Sequence, residues 1–212
     1  MPDLKRFQRW RVGPRQSRGR ELVVLACDVS PSMLMPLKFS QGRQTSRLAG
    51  AQQAMRVFVS SGVAAGRAAD VCVVTFSGVA RLDRRWTPVH IVAPLIKAID
   101  GISFVGEGTN IAAALKLSLA QIRRRQSGRH ITDARIVLVT DGDANLDTYQ
   151  HEQLIKEARR RQVRIFPIAI CNKGDDPMTY DRDLLLRIAK ATRGQFRTAH
   201  DFDQLRAALA LR

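Results

Sequence analysis

The sequence predicts a doubly wound, mostly parallel open α/β sheet with helices on both faces. Short apolar runs rich in β-branched residues recur along the chain, a pattern typical of strands buried on both faces. Segments with apolar residues spaced three and four apart lie between these runs, as in amphipathic helices. Because strand and helix patterns alternate, helical crossovers are expected to join parallel strands.

Four apolar runs are predicted to form the central strands: residues 22–27, 71–76, 136–140 and 163–170. Residues 79–86 have mixed polarity and predict an edge strand that runs against the others. Residues 195–198 predict a last, short edge strand. Pro167 lacks a backbone donor, so either the local strand pairing is weakened there or the strand lies near the margin of the sheet.

The helical pattern is clearest in two segments. One contains Leu48, Met55 and Phe58, and the other contains Ile111 and Ile122. Three further helices are predicted around residues 154–158, 184–189 and 202–211, with Asp147 or Thr148 available to cap the first of them.

Length and composition favour one large domain, residues 21–212, behind a basic N-terminal arm, residues 1–20. The chain has 212 residues, of which 45% are hydrophobic, enough for a full core. No apolar run approaches the roughly 20 residues of a membrane helix. The first residues lack the apolar stretch of a signal peptide, so a cytoplasmic protein is expected. Three cysteines without a C-x-x-C pair predict buried, reduced thiols.

The formal net charge of +16 comes mostly from arginine. Clusters occur at residues 81–85, 123–129 and 159–164. Such a surface attracts acidic proteins or nucleic acid through its long-range field. The alternative is a set of solvated faces, because no aromatic residues interleave with the clusters as a stacking platform requires.

Oxygen-bearing side chains follow three predicted elements. Asp28, Ser30 and Ser32 come directly after the first strand, Thr109 follows a glycine-containing loop, and Asp141 closes a later strand. The carboxyl ends of parallel strands meet at one edge of a sheet, where ligands gather. Magnesium and manganese prefer oxygen ligands, so the pattern predicts a divalent cation site there.

Each of these residues also has a plain structural interpretation. Asp28 could stabilise a turn, the two serines could bond local backbone, and Thr109 could cap the following helix. Asp143 could orient water near an ion or lie exposed in a turn.

The set Asp28, Ser30, Ser32, Thr109 and Asp141 resembles the metal-ion-dependent adhesion site of von Willebrand factor type A (VWA) domains, in the order typical of that family. The resemblance covers about residues 20 to 212 and suggests an intracellular, prokaryotic type. It implies that Ser30, Ser32 and, in some states, Thr109 bind Mg²⁺ or Mn²⁺ directly. Asp28 and Asp141 would then act largely through water.

The resemblance also implies a function. An ion held mainly by neutral hydroxyls keeps most of its charge, so an open coordination position can take a carboxylate from a partner protein. The expected function is therefore a metal-dependent protein-interaction module or adaptor, and not an enzyme.

Two other functions stay open at this point. One is a magnesium-dependent phosphatase of the haloacid dehalogenase kind, although Ser30 stands where that chemistry generally has a second aspartate. The other is a basic scaffold that binds nucleic acid.

An apolar segment follows the first site residues. Met33, Met35 and Phe39 lie beside the predicted metal edge and could form a partner-docking surface, with methionines supplying adaptable contacts. The alternative is that these side chains fold onto the sheet or the first helix.

Overall fold

The computed structural model describes residues 19–38, 44–127, 131–142, 148–171 and 180–209. Eight strands lie in this part of the chain: β1 (Arg20–Asp28), β2 (Pro36–Lys38), β3 (Gln44–Ser46), β4 (Ala69–Phe76), β5 (Ala80–Pro88), β6 (Ile131–Thr140), β7 (Val163–Ile170) and β8 (Arg197–Ala199). The α-helices of the same part are α1 (Arg47–Ala64), α2 (Val92–Asp100), α3 (Ile111–Gln126), α4 (Thr148–Arg160), α5 (Arg182–Ala191) and α6 (Phe202–Leu209).

Six strands form the central sheet in the order β5-β4-β1-β6-β7-β8. All neighbouring pairs are parallel except β4 and β5, which are antiparallel. The predicted fold class is therefore confirmed, including the reversed edge strand. Successive strands go to opposite sides of β1, so the strand order reverses between β1 and β6 and a crevice opens beyond their carboxyl ends.

Helices cover both faces of this sheet. One apolar cluster packs α1, α2 and α6 against the sheet, and a second packs α3, α4 and α5 against the other face. Alternate residues of β1 belong to different clusters, which explains why the whole run is apolar. All three cysteines are reduced and buried, as predicted. No helix in the described part of the chain is both long and apolar enough to cross a membrane.

Helix α2 and the hairpin of β2 and β3 were not predicted from the sequence. Helix α2 contains Pro94 in its first turn, a position where the missing N–H costs little. The short hairpin of β2 and β3 interrupts the connection between β1 and α1. Leu37 of this hairpin is fully buried, and its side chain fills the space above Gly50 in α1.

The predicted arm, residues 1–20, falls almost entirely outside the described residues. Gly19 and Arg20 are the exceptions: Arg20 begins β1, and its guanidinium donates to Asp70 at 2.7 Å. Pro167 lies one strand in from the edge of the sheet, and β8 pairs with β7 only from Ile168 onward.

Candidate metal centre

Asp28 ends β1 with both carboxylate oxygens held by hydrogen bonds. The Ser30 amide donates to Oδ1 at 2.8 Å, and the Thr140 hydroxyl donates to Oδ2 at 2.6 Å. The side chain is fully buried. Its position is therefore set by its own loop on one side and by the end of β6 on the other.

A second chain of hydrogen bonds joins the serines to Asp141. The Ser30 and Ser32 hydroxyl oxygens lie 3.0 Å apart, and the Ser32 hydroxyl donates to Asp141 Oδ1 at 2.7 Å. Asp141 Oδ2 accepts from Nη1 of Arg47 at 2.8 Å. Residues far apart in the sequence thus form one continuous polar cluster beyond the ends of β1 and β6.

Thr109 reaches the same place from the third loop. Gly108 precedes it with a φ of 79°, a left-handed conformation that favours glycine. A Cβ at Gly142 would lie 2.7 Å from the Thr109 hydroxyl oxygen, so glycine lets this side chain lie against the backbone next to Asp141. Helix α3 is capped by Asn110, whose side chain accepts from the Ala113 amide at 2.9 Å. Thr109 is therefore not the cap, and its hydroxyl faces the site.

Burial makes the charges of this cluster costly. It raises the pKa of Asp28 to about 6, although hydrogen bonds from Thr140 and Ser30 oppose the shift. Burial also raises the pKa of Asp141, against the lowering effect of Arg47 and Ser32. The cluster contains two carboxylates and one guanidinium, so its ionised form has a net negative charge that a cation would offset.

The donor set fits a hard divalent ion. Within the described residues, no group of three His, Cys, Asp or Glu side chains is arranged to hold a metal ion. A metal at this edge would therefore depend on the hydroxyls of Ser30, Ser32 and Thr109 beside the two carboxylates. Hydroxyl and carboxylate oxygens suit Mg²⁺ or Mn²⁺ and are poor ligands for soft metals.

Comparison with known proteins agrees with the observed fold. The model of the von Willebrand factor type A domain matches residues 23–210. The chain belongs to the VWA family. Comparison with curated protein sequences found no match.

Solved structures with the same fold share little sequence with this VWA domain. BatB from Bacteroides thetaiotaomicron is 18% identical, with a TM-score of 0.69 over 89% of this chain and 95% of that one. An aerotolerance-related membrane protein from Bacteroides fragilis is 22% identical, with a TM-score of 0.64 over 89% and 96%. A von Willebrand factor type A protein from Catenulispora acidiphila is 17% identical, with a TM-score of 0.69, and the match covers 91% of this chain but 42% of that one.

Two residues of the cluster escaped the sequence prediction. Thr140 looked like the end of an apolar strand, and Arg47 looked like part of a polar loop. Arg47 is 6% exposed and is the first residue of α1, where a cation opposes the helix dipole. A buried cation at the start of a helix needs a nearby anion. An arginine at the start of a predicted helix is therefore the sequence signal that could have revealed the contact with Asp141.

The predicted docking surface needs correction. Met33 is fully buried in the core beneath α1, so it cannot contact a partner. Met35 is 53% exposed, as the prediction requires. Phe39 lies outside the described residues, as does Asp143.

Other exposed apolar side chains of this VWA domain lie on two of the loops that carry the site and on the turn between β4 and β5. The Val105 amide approaches the Val29 carbonyl oxygen at 3.4 Å, and Asn110 donates to the Ser77 carbonyl at 2.7 Å. These contacts join the loop before α3 to the loop after β1 and to the turn between β4 and β5. We define the apolar rim as the exposed residues Leu34, Met35, Val79, Phe104 and Val105.

Proposed function

We propose that this VWA domain captures acidic residues of a partner protein through a divalent cation, Mg²⁺ or Mn²⁺. Asp28, Ser30, Ser32, Thr109 and Asp141 would hold the ion. The supporting observation is that three separate loops bring these oxygen atoms to one edge of the sheet. The ion would supply positive charge at an open coordination position.

The hydrogen bonds of the cluster suit that role. The Ser32 hydroxyl donates its hydrogen bond to Asp141, so the lone pairs of its oxygen can face a cation. Arg47 neutralises one carboxylate within the protein. With Asp28 and Asp141 ionised, the cluster carries about one negative charge, and a divalent ion turns this balance positive. Such a site favours an anionic ligand over a neutral one.

The apolar rim narrows the chemistry of the partner. Exposed apolar side chains around a charged centre suit a segment in which an acidic residue is flanked by apolar ones. The net charge of +16 should also speed the approach of an acidic partner. We therefore propose an adaptor that acts by binding rather than by catalysis, in the cytoplasm.

Affinity capture with matched variants tests this proposal. Wild type, Ser30→Ala and the control Ser60→Ala, an exposed serine of α1, are used as baits in extracts of the source organism. Each bait is used with Mg²⁺ and with EDTA, and Mn²⁺ affinity is measured by titration calorimetry. We expect the wild type and Ser60→Ala to retain the same proteins in Mg²⁺. These proteins should be absent with Ser30→Ala and with every bait in EDTA. The same proteins in every lane would contradict a metal-bridged contact.

The rim has its own test once a partner is captured. Leu34→Ser with Met35→Ser should weaken partner binding about thirtyfold, because two apolar contacts of about 1 kcal/mol each are lost. Metal affinity should stay unchanged. Leu186→Ser is the control, since Leu186 is similarly exposed but lies on α5. Equal loss in both variants would argue against the rim.

A further inference from the structure

A cavity of about 960 Å³ lies at the amino end of the sheet, opposite the candidate metal centre. Its walls come from the first residues of β6 and β7 and from the last turns of α4 and α5. The VWA function proposed above does not use this end of the molecule.

The walls of this cavity are strongly basic. Its lining includes one carboxylate, Asp133, and six cationic side chains: Lys156, Arg159, Arg160, Arg164, Lys190 and Arg193. Asp133 is already engaged by Arg164, at 3.2 Å from Nε and 2.5 Å from Nη2. The other five cations form no ion pair within the described part of the chain.

The dipoles of two helices offset part of this positive charge. Cations are favoured in the last turn of a helix, and α4 and α5 both end at the cavity. Each helix end carries roughly half a negative charge, so together they offset about one of the five unpaired cations. Arg193 lies beyond α5 with a φ of 58°, outside the helix whose dipole could explain it. An excess of about four positive charges therefore faces the cavity.

We propose that this cavity binds a compact polyphosphate anion, either inorganic polyphosphate or the phosphate chain of a nucleotide. Its volume suits a small ligand, and arginine forks match phosphate oxygens in pairs. None of its lining residues is aromatic, so there is no platform on which a base could stack. The walls therefore recognise phosphate groups rather than bases.

Titration calorimetry with inorganic tripolyphosphate tests the cavity. The buffer contains about 0.1 M salt and no divalent metal, so the candidate metal centre does not contribute. The test variant is Arg160→Gln with Arg193→Asn; asparagine tolerates the left-handed backbone at position 193. The control is Arg85→Gln with Arg123→Gln, which removes two exposed cations elsewhere and gives the same net charge.

We expect wild type and the control to bind tripolyphosphate with affinities within about twofold of each other. The cavity variant should bind at least about tenfold more weakly, because it loses two charge-assisted contacts. Tighter binding of tripolyphosphate than of ATP indicates inorganic polyphosphate, and similar affinities indicate that the phosphate chain of a nucleotide is accepted as well. Either result supports the proposal if the cavity variant loses the binding.

Three results would overturn the proposal. Wild type could fail to bind tripolyphosphate or ATP at millimolar concentration. Both double variants could lose affinity equally, which would mean that the general field of the protein attracts the anion. A single-stranded oligonucleotide could bind far more tightly than either ligand and equally well in both variants, which would assign the arginine surface to nucleic acid.

Discussion

The two ends of the sheet treat buried charge differently. At the amino end, Asp70 is fully buried and accepts from Arg20 at 2.7 Å and from Arg125 at 2.6 Å. At the carboxyl end, Asp28 is equally buried, but it accepts from neutral groups, the Thr140 hydroxyl and the Ser30 amide, and burial raises its pKa. The protein neutralises the first carboxylate itself. The second keeps a charge that favours an external cation.

The largest expected effect comes from Asp28→Asn at the carboxyl end. Metal affinity should fall about a hundredfold, because the variant loses a charge near the ion. The unfolding free energy without metal should stay the same or rise, since a neutral amide costs less to bury than a carboxylate. The Thr140 hydroxyl can turn to accept from the new amide group. Calorimetry with Mn²⁺ and urea unfolding measure the two quantities.

Asp70→Asn is the matched change at the amino end. It should lower the unfolding free energy by about 2 kcal/mol, because two charge-assisted contacts are lost. Arg20 and Arg125 are 41% and 22% exposed, so their side chains can turn to water, which limits the loss. Metal affinity should not change. If Asp70→Asn lowered metal affinity as much as Asp28→Asn, the two ends would not be independent.

The sequence predicted most of the fold because its central strands are buried on both faces. Residues 22–27 and 136–140 had to be apolar throughout, and such runs are easy to recognise. Helix α2 was missed although Val92, Leu95 and Ile99 have helical spacing, whereas the short β2–β3 hairpin carries no comparable pattern. Leu37 is buried through tertiary contact with α1, which no short-range spacing records.

The placement of the polar cluster at one edge of the sheet was predicted from the sequence, while metal binding by its residues stays a prediction. Asp28, Ser30, Ser32, Thr109 and Asp141 follow recognisable elements, so the rule for strand ends brought them to one edge. Arg47 and Thr140 were missed because their roles depend on a contact across the crevice. Met33 was wrongly assigned to the surface, since its sequence neighbours Leu34 and Met35 are exposed while its own side chain turns inward.

Arg47 pairs with a buried carboxylate at the carboxyl end, as Arg20 and Arg125 do at the amino end. Arg47→Met tests what this pairing contributes. Without the guanidinium, a divalent ion no longer meets a like charge, so metal affinity should rise by up to about tenfold. The metal-free unfolding free energy should fall by about 1–3 kcal/mol, because buried Asp141 loses a donor. Calorimetry and urea unfolding with and without Mn²⁺ separate the two effects.

Arg56→Met provides the control for that change. Arg56 lies on the same helix but is 52% exposed and approaches Asp100 at 3.4 Å. The Arg56→Met variant should leave the metal affinity and the metal-free unfolding free energy almost unchanged. A fall in metal affinity for Arg47→Met would mean instead that Arg47 mainly holds Asp141 in position for the ion.

The smallest expected effects come from two adjacent residues, Thr109 in the site and Asn110 at the start of α3. Substitutions there distinguish a role in the site from a role in the helix. Asn110→Ala should lower the unfolding free energy by about 1 kcal/mol, because the variant removes the cap of α3. Thr109→Val keeps the shape of the side chain and leaves the cap intact, so its cost in stability should be smaller. Partner affinity at saturating metal should nevertheless fall about tenfold in Thr109→Val, through loss of one hydroxyl near the ion.

Thr109→Ser restores the hydroxyl and should restore most of the partner affinity, which a purely structural role for the threonine methyl group would not allow. Surface-binding measurements with the captured partner, made in saturating Mg²⁺, compare all three variants. If Thr109→Val and Thr109→Ser bound the partner equally well, the hydroxyl would have no part in capture. The site would then depend on the groups at the ends of β1 and β6, and the third loop would contribute shape alone.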